Sequence, residues 1–181
     1  MAFEVAARVR GEIVGRAGAV AAELPNARWV AEKNLHLTLC FLGNVDSHHV
    51  SDLGRSLVRA FQRSRPMKFG IEGCGMFPAR GRPRVGWVGV RCSGDLAELQ
   101  GRVSSSALAA VGRPAEARGY HAHITVVRPK RGWSGDTRRR FERVFAGLTG
   151  EWKVDRGRLM ESRIGSGGAA YRVLEEFALA P

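Results

Sequence analysis

Apolar and polar residues alternate with a period of two in the stretch 34–43, Asn-Leu-His-Leu-Thr-Leu-Cys-Phe-Leu-Gly, and this alternation predicts a β-strand. The side chains on its apolar face are Leu35, Leu37, Leu39 and Phe41. The opposite face carries His36 and Thr38, together with Cys40 and Leu42. One face can therefore join a core while the other presents an imidazole and a hydroxyl group.

The same pattern returns in the second half of the chain as His123-Ile124-Thr125-Val126, which Pro129 ends. Two strands of the form His-x-Thr, one in each half, indicate a duplicated unit. We expect a shared site between the two copies.

Hydrophobic spacing elsewhere predicts four helices and further strands. Helical spacing covers residues 9–24, 50–61, 96–108 and 141–148. Apolar and β-branched runs predict strands at 2–6, 28–30, 67–74, 84–90, 152–164 and 170–179. This order predicts an α+β fold with mostly antiparallel strands, in which helices cover the outer faces of the sheets.

Composition limits the class of protein. A chain of 181 residues with 44% hydrophobic residues is long enough for one domain, or for two small lobes sharing a core. It has no run of 18 uncharged apolar residues and no secretory leader, so we expect a cytoplasmic protein without a membrane span. Its three cysteines lack metal-ligand spacing and are expected to be reduced.

The net charge is +12, from 29 Lys and Arg against 17 Asp and Glu. Such an excess favours polyanionic partners and phosphate contacts, although an Arg-rich composition alone would also produce it.

Two histidines facing one cleft permit acid–base chemistry, because one imidazole can accept a proton while the other donates one. Phosphoester cleavage requires such a pair. Thr38 and Thr125 lie on the same faces and could hydrogen-bond phosphate oxygens, and Arg128 could add a charge-assisted bond. A single His-x-Thr is usually a structural feature, so this interpretation depends on there being two.

Other sites are less favoured by the sequence. A zinc site would need further ligands, but His48 and His49 lie in a turn, and no Cys or carboxylate accompanies His121 at metal-site spacing. There is no phosphate-binding glycine loop or dinucleotide fingerprint. We therefore expect neither metal nor cofactor.

The two motifs resemble the signatures of the 2H phosphoesterase superfamily. Wider blocks extend the resemblance to the RNA 2′,3′-cyclic phosphodiesterases, also called 2′-5′ RNA ligases. These blocks are Arg28-Trp29-Val30, residues 34–43, Phe77-Pro78, Pro83-Arg84-Val85, residues 123–128, Glu161-Ser162-Arg163 and residues 167–171.

This resemblance implies one bilobal, pseudo-twofold domain over residues 1–181, with the site in a central cleft. It also implies metal-independent hydrolysis of an RNA 2′,3′-cyclic phosphate to a 2′-phosphate, reversible as 2′-5′ ligation. His36 would donate a proton to the leaving 3′ oxygen and His123 would accept one from water. Thr38, Thr125 and Arg128 fall on phosphate-binding positions, and we expect a monomer.

Two departures from the family pattern stand out. The first strand is shorter than usual, so we expect the chain to lack its first residues, and Ala122 replaces a common proline. Two other functions stay open: turnover of small cyclic nucleotides, or RNA-end binding without catalysis. The cue for binding alone is a set of basic and aromatic residues, Arg80, Arg82, Arg84, Lys130, Arg131 and Trp133.

Overall fold

The computed structural model describes residues 1–24, 26–112, 119–130, 133–165 and 168–181. Its helices are α1 (Ala7–Val20), α2 (Val50–Phe61), α3 (Leu96–Val111) and α4 (Gly135–Ala146), with short 3-10 helices at Glu32–Asn34 and Ser47–His49. Its strands are β1 (Ala2–Glu4), β2 (Ala27–Trp29), β3 (His36–Thr38), β4 (Met67–Phe77), β5 (Val85–Ser93), β6 (His123–Pro129), β7 (Glu151–Val154), β8 (Arg156–Gly165) and β9 (Gly168–Ala178). No helix within these ranges is long and apolar enough to cross a membrane.

All described strands belong to one antiparallel sheet in the order β7-β4-β5-β6-β3-β1-β8-β9, and β2 also pairs with β6. Helix α2 packs against α3 and β9, while α4 packs against α1 and β4. The predicted α+β fold with antiparallel strands is confirmed.

The strand order divides into two four-stranded halves that meet at β3 and β6, and β2 adds a further strand beside β6. One half is β7-β4-β5-β6 and the other is β3-β1-β8-β9. They join through one residue pair, Leu37 opposite Ile124. Each half therefore contributes its His-x-Thr strand to the junction, as a bilobal fold built from two similar units requires.

The sheet must curl, because strands that follow each other in the chain lie far apart in the strand order. Only Asp155 separates β7, at one edge, from β8 in the other half. The indole Nε1 of Trp152 in β7 donates to the carbonyl of Glu4 in β1 at 3.1 Å, so the two halves touch. The predicted single strand 152–164 was wrong for this reason: its two parts pair with different halves.

Aromatic side chains fill the core between the sheet and the helices. Phe3 lies 6.1 Å from Phe61 and 5.5 Å from Phe69, and Phe61 stacks on Phe177 at 5.4 Å. Each of these rings is buried. Burial of one such side chain stabilises the fold by about 1.5–3 kcal/mol, so this cluster holds β1 and β8–β9 against α2.

The strand predicted over 34–43 is only three residues long, and the prediction that Phe41 joins the core was wrong. The amides of Leu39 and Cys40 both donate to the Met1 carbonyl, at 2.9 and 3.3 Å, which ends the regular ladder after Thr38. The chain then leaves the sheet, and Phe41 is 65% exposed.

Candidate active site

The register of β3 and β6 brings both His-x-Thr pairs onto one surface. Since the strands are antiparallel and Leu37 lies opposite Ile124, His36 lies across from Thr125, and Thr38 lies across from His123. The two apolar residues are fully buried, so the four polar side chains occupy the opposite face. The histidines are diagonal neighbours, which places their Cα atoms about 7–8 Å apart.

Both imidazoles are held by the same local hydrogen bond. The Nδ1 of His36 lies 2.8 Å from the carbonyl oxygen of Asn34, and the Nδ1 of His123 lies 2.8 Å from that of His121. A carbonyl can only accept, so each Nδ1 carries a proton and donates it. Both rings are therefore oriented by the same kind of bond, which is made at Nδ1 and not at Nε2.

A β-bulge in β6 turns Arg128 toward the histidine face. Trp87 of β5 pairs with Thr125, but the residue before Trp87 pairs with Val127, which leaves Val126 as an extra residue. Val126 and Val127 are both buried, whereas Arg128 is exposed. Strict alternation would put Arg128 on the opposite face from Thr125, and the extra residue corrects this.

The environment of His36 disfavours its charged form. Burial lowers the pKa of His36 below its usual 6.5, and the positive charges facing it, including Arg128 and His123, lower it further; the carbonyl of Asn34 acts in the opposite direction. An anion bound on this face would offset the repulsion. The site is thus suited to a negatively charged ligand that raises the pKa of His36 as it binds.

Aromatic rings flank both histidines, and sequence reasoning gave them no role. The ring of Tyr171 in β9 lies 4.9 Å from His36. On the other side, Phe77 and Trp87 lie 5.1 and 6.3 Å from His123. The resemblance included Phe77 and Tyr171 in its blocks, but only the pairing of distant strands shows that they line the site.

Two further contacts fix the strand that carries His36. The side-chain amide of Asn34 donates to the Ala169 carbonyl at 2.7 Å and so joins the start of β3 to β9. The Tyr120 hydroxyl donates to the Thr38 carbonyl at 3.2 Å. These bonds hold β3 in place although its regular pairing is short.

One group of side chains outside this face could hold a metal ion. The ligand atoms of Asp46, His48 and His49 lie within 4.8 Å of one another just before α2, at the surface. Sequence reasoning missed the carboxylate that accompanies these histidines. The group includes neither motif histidine, so the prediction that the reaction uses no metal stays a prediction.

The basic and aromatic residues that favoured an RNA-binding module without catalysis are only partly accessible. Trp133 is only 8% exposed, and its ring packs 5.9 Å from that of Phe141, so it is not available to stack on a base. Arg131 lies outside the described residues. Arg80, Arg82, Arg84 and Lys130 are exposed, as predicted.

The chain is similar to known proteins over most of its length. A family model described as LigT like Phosphoesterase matches residues 6–87. A Thermotoga maritima protein named RNA 2′,3′-cyclic phosphodiesterase is 32% identical over 153 residues, which are 83% of this chain and 78% of the relative. A Geobacillus stearothermophilus protein of the same name is 32% identical over 119 residues, which are 66% of this chain but 37% of that relative.

The fold also matches solved structures. A crystal structure of a Thermus thermophilus protein superposes with a TM-score of 0.81 and 24% identity, covering 98% of this chain and 95% of the other. At this identity the similarity concerns the fold alone.

Proposed function

The chain belongs to the LigT-like phosphoesterase family, and from this premise we propose that it hydrolyses RNA 2′,3′-cyclic phosphate ends to 2′-phosphomonoesters. The observation that carries the proposal is the facing pair of His-x-Thr strands, with both Nδ1 atoms held by backbone carbonyls. This arrangement supplies an acid and a base on one surface, and relatives carry the name of the activity.

In the proposed reaction, a water oxygen attacks phosphorus while the neutral His123 accepts its proton at Nε2. The bond between phosphorus and the 3′ oxygen breaks, and the protonated His36 donates its Nε2 proton to that oxygen. The product is a 2′-phosphate with a free 3′-hydroxyl. The roles then reset by proton exchange with solvent.

Thr38, Thr125 and Arg128 are proposed to hold the phosphate between the two rings. The hydroxyls donate to nonbridging oxygens, and the guanidinium neutralises charge that develops on them. A 5′-hydroxyl in place of water would yield a 2′-5′ linkage, and the same acid and base would cleave it in reverse.

We further propose that the reaction needs no metal ion, since proton transfer and charge neutralisation are both assigned to side chains. The rate is then unchanged by EDTA. Strong inhibition that added Mg²⁺ or Zn²⁺ reverses would contradict this part of the proposal.

The test is incubation with an oligoribonucleotide bearing a 2′,3′-cyclic phosphate, with identification of the product as a 2′- or 3′-phosphate. His36→Ala and His123→Ala should each lower kcat by about 10²- to 10⁴-fold, because each removes one proton-transfer group. The double variant should be little worse than either single one, since the two groups act as a unit. Gln62→Ala, at an exposed position after α2, is the control, and full activity in either single histidine variant would refute the mechanism.

A further inference from the structure

Two arginines lie directly opposite each other beside the candidate site. Arg28 of β2 pairs with Arg128 of β6, and both side chains are exposed. Like charges placed opposite each other on neighbouring strands repel and destabilise the pairing. Such a pair calls for a ligand that neutralises it.

Packing of the neighbouring residues shows which way Arg28 points. Trp29 pairs with the buried Val127, and its ring stacks on Phe145 at 6.4 Å. Because alternate side chains of a strand point to opposite faces, Arg28 points away from this core. It therefore shares the open face with Arg128, beyond the bulge that turns Arg128 toward the histidines.

Neither arginine is neutralised within the part of the chain that the structure describes: neither forms an ion pair with a carboxylate there. Other arginines do, as Arg140 does with Glu23 at 2.6 Å. The positive charge beside the site is therefore left for a ligand.

The guanidinium of Arg28 also reaches the tip of the β8–β9 hairpin. A Cβ added to Gly168, the first residue of β9, would lie 3.5 Å from Nη1 of Arg28. Three residues further along β9, Tyr171 contacts His36. The Arg28 side chain thus extends from β2 to β9, the strand that also carries Tyr171 beside His36.

We propose that Arg28 binds the phosphodiester that precedes the terminal nucleotide, so that the enzyme prefers RNA strand ends to cyclic mononucleotides. This inference rests on the proposed function. Arg28 lies directly opposite Arg128, so their Cα atoms are about 4.5–5.5 Å apart. The Arg28 guanidinium extends toward Gly168, so the two arginines can contact neighbouring phosphates of one strand. Arg128 contacts the reacting phosphate and Arg28 the next one.

The test compares three substrates: a nucleoside 2′,3′-cyclic phosphate, a dinucleotide with the same cyclic end, and that dinucleotide with a neutral methylphosphonate linkage. The wild-type protein should favour the charged dinucleotide over the neutral one by about ten- to a hundred-fold in kcat/KM, the range of one charge-assisted hydrogen bond. Arg28→Gln should lose most of this discrimination. It should also reduce the slope of log(kcat/KM) against log[salt] for the charged dinucleotide by about 0.7.

Arg59→Gln, which removes an exposed arginine from α2, is the matched control and should keep the discrimination. Equal discrimination in wild type and Arg28→Gln, or none in wild type, would overturn the inference. If wild type turns over no substrate, the proposed function fails instead. In that case, equilibrium binding of the charged and neutral dinucleotides tests whether Arg28 binds the phosphodiester. Equal affinities for the two would overturn the inference about Arg28.

Discussion

Asn34 offers a test of how the site is held, because it serves two bonds at once. Its backbone carbonyl accepts from Nδ1 of His36 at 2.8 Å, and its side-chain amide donates to the Ala169 carbonyl at 2.7 Å. Asn34→Ala removes only the second bond. Any effect on His36 must then pass through the position of the backbone and of β9.

The cost follows from the partly buried setting of the lost bond. A buried acceptor left without its donor costs about 1–3 kcal/mol, and partial access of water favours the lower half of this range. For a chain of this size, 1 kcal/mol shifts Tm by about 2–4 °C, so we expect Tm to fall by about 2–8 °C. Because Ala169 precedes Tyr171 by two residues, the wall beside His36 loosens as well.

We expect kcat on a 2′,3′-cyclic oligonucleotide to fall by up to about a hundred-fold, the effect of misplacing a reacting group by about 1 Å. KM should change less, since Asn34 has no proposed contact with the phosphate. Asn34→Asp should lose the same bond and in addition raise the pKa of His36, because it places a negative charge nearby. Melting and kinetics of Gln62→Ala, an exposed amide at the end of α2, provide the control, and an Asn34→Ala variant indistinguishable from it would refute the reasoning.

Three further predictions concern the same face of the sheet. The pKa of His36 lies below 6.5 and the mechanism needs this ring protonated, so kcat/KM should fall with rising pH already below 6.5. Arg128→Gln removes a positive charge near His36 and should move this fall to higher pH. A pH profile that Arg128→Gln does not change would contradict the repulsion assigned to Arg128. A lowered histidine pKa also means that the unfolded chain binds the proton more tightly, so His36 contributes stability above pH 6.5 that is lost as pH falls through its folded pKa. Gly75→Ala should lower the free energy of unfolding by about 1–3 kcal/mol and should also lower kcat, because the added Cβ would lie 2.6 Å from the Trp87 indole. Gly101→Ala, which has open space around it in α3, should instead stabilise the protein. Equal Tm shifts of the two variants in thermal melts would argue against the predicted clash.

Much of the candidate site was predictable because its signal is local. The alternation in His36-x-Thr38 and His123-x-Thr125 assigns each pair to one strand face without any knowledge of the fold. Recurrence of the motif then indicated a shared site. What alternation could not show was that the strands pair directly through Leu37 and Ile124, which decides that each histidine faces the other motif's threonine.

Features that depend on distant pairing were missed or wrong. The stretch 152–164 was predicted as one strand, yet it divides at Asp155 because its parts pair with β4 and with β1 and β9. Tyr171 is separated from His36 by most of the chain, and only the order of β3, β1, β8 and β9 brings the rings together. Local periodicity carries no information about such order.

Arg128 shows how a local irregularity decides the chemistry of the site. It was predicted as a phosphate ligand from its place near the motif, but five positions separate it from His123, an odd number that regular pleating would place on the other face. The extra residue at Val126 reverses this, and both valines before Arg128 stay buried as a result. A bulge at this position therefore keeps the core intact while it turns a cation toward His36, and the same turn places Arg128 beside Arg28. Removing the bulge would therefore leave the strand able to pack, but the proposed phosphate site would lose the charge of Arg128.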